Sequence, residues 1–346
     1  MLLVPESKAD KHGSLKMQNM IPMNHIGRLL WVVFLILGLL ATKSEAQNWP
    51  SQNIKIVVPV GPATPPDLMA RIVSAELARS EGWNITVENK VGAVHTLAAQ
   101  DVLRSPADGH MIFVSSGVFA SAPALLRNTK IDPLKDFIPV VKLSVTYTAL
   151  VASGASSINS IRDLEERIKA NPDKLSYASG GFGTPAHLIT EFFKQEFGGR
   201  ANHVPYNSMP NAISDVMNGV VDFAFLTTLP VTELVKSGKM KGIAVAGPNR
   251  LTAMPDVSTV VEQGYSHLVV EGWAGFSVRF GTAPEIVERI NVAVNKVLKT
   301  DAVLSAFEKV GAFPGGGSSA EFSQFYEEEV HRWSSVISKG DIKIAP

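Results

Sequence analysis

Ser115 and Ser116 close an apolar run, and His95 and His187 stand elsewhere in the chain. A serine within hydrogen-bond reach of a histidine, with an acid to orient the ring, would be an activated nucleophile. No Gly-x-Ser-x-Gly elbow surrounds either serine, so an exported hydrolase is an alternative that only tertiary geometry could support. His187 and Glu191 are four apart on a helical stretch, a spacing that can place two metal ligands on one face. No third ligand accompanies them, and a hydrogen-bonded pair is the preferred reading. The chain has no Walker loop and no His-Glu-x-x-His, and no Gly-x-Gly-x-x-Gly follows its first strand. The chain has no cysteine, which removes disulfides, thiolate metal sites and thiol nucleophiles.

A second chemistry fits better. Four loops follow apolar runs and open helical stretches, which is where an open α/β sheet binds ligands. They are Val60-Gly61-Pro62-Ala63-Thr64, Ser115-Ser116-Gly117-Val118, Ser179 to His187, and Pro205-Tyr206-Asn207-Ser208. Helix starts present unpaired N–H groups and a partial positive charge, both suited to a carboxylate. In the third loop Thr184 caps and Pro185 takes the first helical position, leaving the Ala186 and His187 N–H groups free. Gly180 and Gly183 let backbone approach a ligand closely. Tyr206 walls the pocket and offers a hydroxyl, and Ser115 and Ser116 face it from the other half. Asp67 reads as a helix-start residue rather than a ligand contact.

The elements that must position these loops alternate. Ile54–Val60, Ile85–Val87, Met111–Val114, Ser176–Ala178, His203–Pro205, Asp222–Leu226 and Gly242–Ala246 read as buried strands. Leu68–Arg79, Thr96–Leu103, Ile161–Ala170, Ala186–Phe197, Asn211–Met217 and Leu229–Lys236 have helical spacing. Such alternation predicts an α/β protein with mostly parallel sheets. Thr64, Ser160, Thr282 and Ser318 each precede an acid by three residues and predict capped helix starts.

The 346-residue chain carries 32 basic and 32 acidic residues, so it shows neither a nucleic-acid-binding excess nor a polybasic membrane patch. Leu29–Leu40 is a continuous apolar run, too short for a comfortable span of about 20 residues. Basic residues precede it and Ser44-Glu45-Ala46 follow, the pattern of a cleavable export signal cut after Ala46. An uncleaved anchor is the alternative, and Met17, Met20 and Met23 are alternative starts. Losing residues 1–46 removes five basic and three acidic residues, leaving a weakly acidic chain.

From Trp49 to Lys343 the chain resembles the tripartite tricarboxylate transporter receptors, also called Bug proteins. Trp49-Pro50, Ile56-Val57-Val58-Pro59 with Asp67, Val87-Glu88-Asn89-Lys90-Val91-Gly92-Ala93 and Pro106-Ala107-Asp108-Gly109 carry the resemblance. So do Tyr177-Ala178-Ser179-Gly180 with Gly183-Thr184, His203-Val204-Pro205-Tyr206, Pro255-Asp256-Val257-Ser258-Thr259 and Trp273-Ala274-Gly275-Phe276. The resemblance implies a type II periplasmic-binding fold with lobe one at 47–147 plus 268–346 and lobe two at 148–267. It implies a monomeric, cofactor-free, metal-free, non-enzymatic receptor that closes around a carboxylate. Its partners would be transporter membrane subunits or a sensor kinase.

Departures from the family pattern concern the pocket. Ala63-Thr64 replace a Gly-Gly pair, Pro65 and Pro66 remove backbone donors, and Gly92-Ala93-Val94-His95 replaces Gly-Ala-Gly-Gly. Thr227 stands near the place of an acid. A less polar pocket and a ligand other than a small dicarboxylate are expected, an aromatic or monocarboxylate among them. His95 is either a side-chain donor there or a surface residue. The exported protein is expected to begin at Gln47; N-terminal sequencing that finds residues 29–40 retained would identify an anchor instead.

Overall fold

The protein is described from a computed structural model, which covers residues 49–342 apart from Arg127. The export signal and its cleavage position lie outside the described residues.

Two sheets form the frame. The first has the order β11-β4-β10-β3-β1-β2, with β1 Ile54–Val58, β2 Ile85–Asn89, β3 Met111–Ser116, β4 Phe137–Thr146, β10 Gly272–Arg279 and β11 Phe313–Gly316. The second has the order β7-β6-β8-β5-β9, with β5 Thr148–Ser153, β6 Ser176–Ser179, β7 Asn202–Pro205, β8 Phe223–Thr227 and β9 Met240–Val245. Ten helices are described: α1 Pro65–Glu81, α2 Thr96–Leu103, α3 Gly117–Leu125, α4 Ile161–Ala170, α5 Pro185–Phe197, α6 Met209–Met217, α7 Thr228–Lys236, α8 Pro284–Val297, α9 Asp301–Lys309 and α10 Ser319–Lys339.

The α/β alternation therefore holds, but parallel pairing is confined to β1 with β2 and β3, and to β6 with β7 and β8. Strands β4, β5, β9, β10 and β11 enter through antiparallel pairs. The reason is that the chain leaves and re-enters each sheet to link the lobes, and a returning strand runs against its neighbour. Helix α3, apolar apart from Ser121 and with Pro123 inside it, has no amphipathic period to betray it and is largely buried.

Those links fix the geometry of the cleft. One residue, Tyr147, separates β4 from β5. Ala246 N–H donates to the Thr148 carbonyl at 2.9 Å, and Val270 N–H to the Ala246 carbonyl at 3.1 Å, just before β10 begins opposite Thr146. Both crossings thus join the same edge of each sheet. Ser116 ends β3 on that edge of the first sheet, because β4, β10 and β3 alternate in direction. Thr227 ends β8 on that edge of the second, directly opposite Thr148. The carboxyl ends of the parallel strands in the two lobes therefore meet across the crossings.

Helix α10 binds the lobes behind this cleft. Its Ser319 hydroxyl donates to the Pro139 carbonyl at 2.5 Å, and its far end accepts from Gln195 of α5 at the Val336 carbonyl, 2.8 Å. Trp333, Val336 and Ile337 join a core shared with Phe113 and Phe119 of lobe one and Phe193 and Phe225 of lobe two. Glu329, buried on the same helix, accepts from the indoles of Trp273 and Trp333 at 2.9 Å each and from Arg332.

Two of the four expected caps are made as drawn: Ser160 accepts from Asp163 N–H, and Ser318 with Glu321 forms a full capping box. Thr64 and Thr282 instead donate backwards, to the carbonyls of Gly61 and Arg279. Among the described residues no helix is long and apolar enough to cross a membrane. Gly275 packs its bare Cα against the Phe322 ring, with the Val141 carbonyl 2.9 Å from where a Cβ would stand. Gly275→Ala should lower stability by about 1–3 kcal/mol through overpacking, measured as the urea midpoint at unchanged m-value.

Candidate functional site

Lobe one presents three loops at the cleft edge. The first, after β1, is braced by Asp67. This buried carboxylate accepts from Ala63 N–H at 2.9 Å, from Arg71 Nε at 3.0 Å and from Asn89 Nδ2 at 2.7 Å. Asn89 also donates to the Val60 carbonyl at 2.9 Å, so one amide ties both ends of the loop to β2. Burial pushes the Asp67 pKa up, but the hydrogen bonds from Arg71, Asn89 and Ala63 outweigh it and hold the carboxyl below its usual range. Asp67 is a loop brace, as its place at a helix start implied. Ala63 stands exposed in the left-handed region, φ 62°. The Thr64 hydroxyl is spent on the Gly61 carbonyl at 2.7 Å, and Pro65 and Pro66 offer no N–H.

Ser115 and Ser116 separate. The Ser115 side chain turns inward, fully buried, 2.9 Å from the Ser277 hydroxyl and 3.2 Å from the Gly275 carbonyl. It does not face the cleft, because alternation along β3 sends neighbouring side chains to opposite faces. Ser116 lies 3.1 Å from His95 Nδ1. That is the serine–histidine contact a hydrolase would need, yet among the described residues no carboxylate bonds the other ring nitrogen.

Lobe two presents the Ser179–His187 loop over a pile of rings. Tyr177 stacks on His203 at 4.9 Å and His203 on His187 at 4.2 Å. Phe182, exposed, stands edge-on to both imidazoles at 5.4 and 4.8 Å. His187 Nδ1 accepts from Gly183 N–H at 3.1 Å, and His203 Nε2 lies 2.6 Å from the Ser179 hydroxyl. The loop is therefore clamped from beneath by two imidazoles. The Gly183 N–H is occupied by this clamp. The Thr184 hydroxyl is spent on the Gly181 carbonyl at 2.7 Å, while the Ala186 and His187 N–H groups have no acceptor among the described residues. Gly180 lies against Met209, whose sulfur would be 3.3 Å from a Cβ.

The Tyr206 hydroxyl is not a free donor: it bonds Asp215 at 2.6 Å. Thr227 is exposed at the start of α7 with no capping bond. Glu191 accepts from the Tyr177 hydroxyl and from Lys194 at 2.6 Å, with His187 Nε2 4.0 Å away. Sequence reasoning placed Ser179 and Phe182 in a candidate loop and His203 in a strand but gave none of the three a role of its own. Strand alternation places Tyr177 and Ser179 on one face of β6, but their stacking partner comes from the neighbouring strand.

The profile of the tripartite tricarboxylate transporter family receptor matches residues 69–342. The chain belongs to this family. It is similar to Protein BugT of Bordetella pertussis, 30% identical over 92% of this chain and 98% of that one. Among solved structures it resembles MatC from Rhodopseudomonas palustris with bound malate, at 28% identity and TM-score 0.68 over 84% of this chain and 100% of that one. A second R. palustris protein, with adipate, matches at 27% identity and TM-score 0.70 over 86% of this chain and 100% of that one. The receptor thus has the two-lobe fold of periplasmic binding proteins.

Burial depresses the pKa of His95 and of His203 to about 4, the second helped by neighbouring His187. Unfolded histidines titrate near 6.5. Between these values the unfolded chain of this receptor binds more protons than the folded one, so stability is lost as the pH drops through that window. The melting temperature is expected to be flat above about pH 6.5 and to decline from there towards pH 4. A profile unchanged between pH 7.5 and 5 would contradict this reading of the two rings.

Proposed function

We propose that this receptor captures a small carboxylate-bearing solute between its lobes and hands it to the membrane subunits of a tripartite tricarboxylate transporter. The exported protein, freed of residues 1–46, works as a monomer without cofactor, metal or catalytic step. Lobe one comprises 47–147 and 268–346, and lobe two 148–267. The carboxylate sits at the start of α5, against Gly180, Gly183, Thr184, Ala186 and His187, with Tyr206 and Thr227 beside it and Val60, Ala63, Thr64 and Ser116 facing it.

One observation carries this reading: two N–H groups, Ala186 and His187, without an acceptor among the described residues, on a loop braced by the imidazoles of His187 and His203, at the edge where the lobes meet. Orienting donors in advance removes the ordering cost from binding. Malate and adipate in two relatives support the ligand class. Closure follows if the solute touches both edges, since it then binds the closed state better and shifts the population towards it.

A thermal-shift screen of the exported protein against carboxylates tests the proposal. A solute at 100 times its Kd stabilises by about 2.7 kcal/mol, a rise of several degrees. Ala186→Pro removes one donor and copies the Pro65-Pro66 start of α1. It should weaken binding at least tenfold, the loss of a hydrogen bond to a charged group. Unchanged affinity in that variant would displace the carboxylate from α5. Chemical conversion of the bound solute would instead favour a hydrolase built on Ser116 and His95.

A further inference from the structure

The loop after β2 is held in an unusual shape. Ala93, Val94 and His95 follow one another in the left-handed region, with φ of 45°, 52° and 71°. Glycine adopts that region freely, whereas a β-branched residue such as valine is strained there. Strain of this kind persists only where surrounding contacts impose it, and it collects at ligand-binding positions. The contacts are visible. Gly92, at φ 140°, has Leu97 Cδ1 2.6 Å from where a Cβ would stand. The Thr96 hydroxyl donates to the Ala93 carbonyl at 2.6 Å, and Ser116 holds His95 at 3.1 Å.

This arrangement sets what His95 offers. With the Ser116 hydroxyl donating to Nδ1, the proton of the neutral ring sits on Nε2. Among the described residues Nε2 itself has no hydrogen-bond partner, and it is not among the buried polar atoms left unpaired. The imidazole is neutral at physiological pH, because burial holds its pKa at about 4. The loops around it carry no available cation: Lys90 is paired with Asp101 at 2.7 Å, and Arg71 is held by Asp67 and Asn89. Among the described side chains of these loops, lobe one therefore meets the cleft with a neutral donor at His95 and no free cation to pair a second carboxylate.

We propose that His95 is a specificity-determining ligand contact whose Nε2–H donates to an uncharged acceptor of the solute. The receptor then selects a monocarboxylate bearing a neutral acceptor, such as a hydroxyl, carbonyl or ring nitrogen, over a dicarboxylate. This rests on the receptor reading above, with the single carboxylate at lobe two.

Matched pairs test it by titration calorimetry at pH 7.5: nicotinate against benzoate, and lactate against propionate, with malate and adipate alongside. In the native protein at least one acceptor-bearing acid should bind about tenfold tighter than its plain partner and than either dicarboxylate, the effect of one well-placed hydrogen bond. His95→Gly should erase the difference within the pair while leaving the plain acid within twofold. The variant should still fold, because glycine occupies φ 71° without strain, and a single cooperative thermal transition checks it. His95→Asn, which tolerates the left-handed region and keeps an N–H donor, should retain part of the preference. Tightest binding of malate or adipate, or an unchanged ratio in His95→Gly, overturns the assignment while leaving a carboxylate receptor. Failure of every acid to bind the native protein overturns the receptor reading itself.

Discussion

Everything about the cleft depends on how briefly the chain crosses it. Tyr147 alone separates β4 from β5, and a one-residue link cannot join any edges but those that already adjoin. Gly247 makes room for the Tyr147 ring, which would lie 2.9 Å from a Cβ there. Glu271, just before β10, is 3.5 Å from the Tyr147 hydroxyl and 3.1 Å from Lys142 Nζ. The crossings are thus a small hydrogen-bonded unit, and the strand directions on either side bring the carboxyl ends of both sheets face to face.

With the edges fixed, each lobe prepares its loops differently. Lobe one uses a buried charge: Asp67 is satisfied by Arg71, Asn89 and a backbone N–H, so the loop after β1 is held without a free ion in the cleft. Lobe two uses neutral rings. His187 and His203 stack, and each reaches the Ser179–Gly183 segment through one nitrogen. Both devices order the loops in advance, and neither leaves a free ion at the cleft edge. In the proposed binding mode, backbone N–H groups and the His95 ring are the polar contacts, a set that favours discrimination by hydrogen bonding over bulk attraction.

Behind the cleft, α10 limits what closure can be. Its aromatic face belongs to a core that includes residues of both sheets, and packed cores rearrange in discrete steps rather than deforming smoothly. The proposed motion of the lobes would pivot near this helix and the crossings and open the opposite side. The buried Glu329, held by two indoles and Arg332, fixes the orientation of Trp273 and Trp333 beside Gly117, the first residue of α3. The floor of lobe one is therefore coupled to the helix that ties the lobes together.

The sequence by itself determined the α/β class, the positions of the parallel strands and of most helices, and the family. Those rest on local periodicity, on Gly, Pro and hydroxyl residues at turns, and on the order of short motifs. It also marked Ala186 and His187 as free donors, because Thr184-Pro185 writes a helix start within four residues. The tertiary structure decided what each side chain spends its hydrogen bonds on. Ser115 and Ser116 are equivalent in sequence, but the pleat of β3 turns one inward to Ser277 and the other towards His95. Tyr206 meets Asp215 across a turn, and His203 meets His187 only because β6 and β7 lie side by side. Strand direction, too, was hidden, since a buried strand reads alike whichever way it runs and only its partners in the sheet distinguish the two.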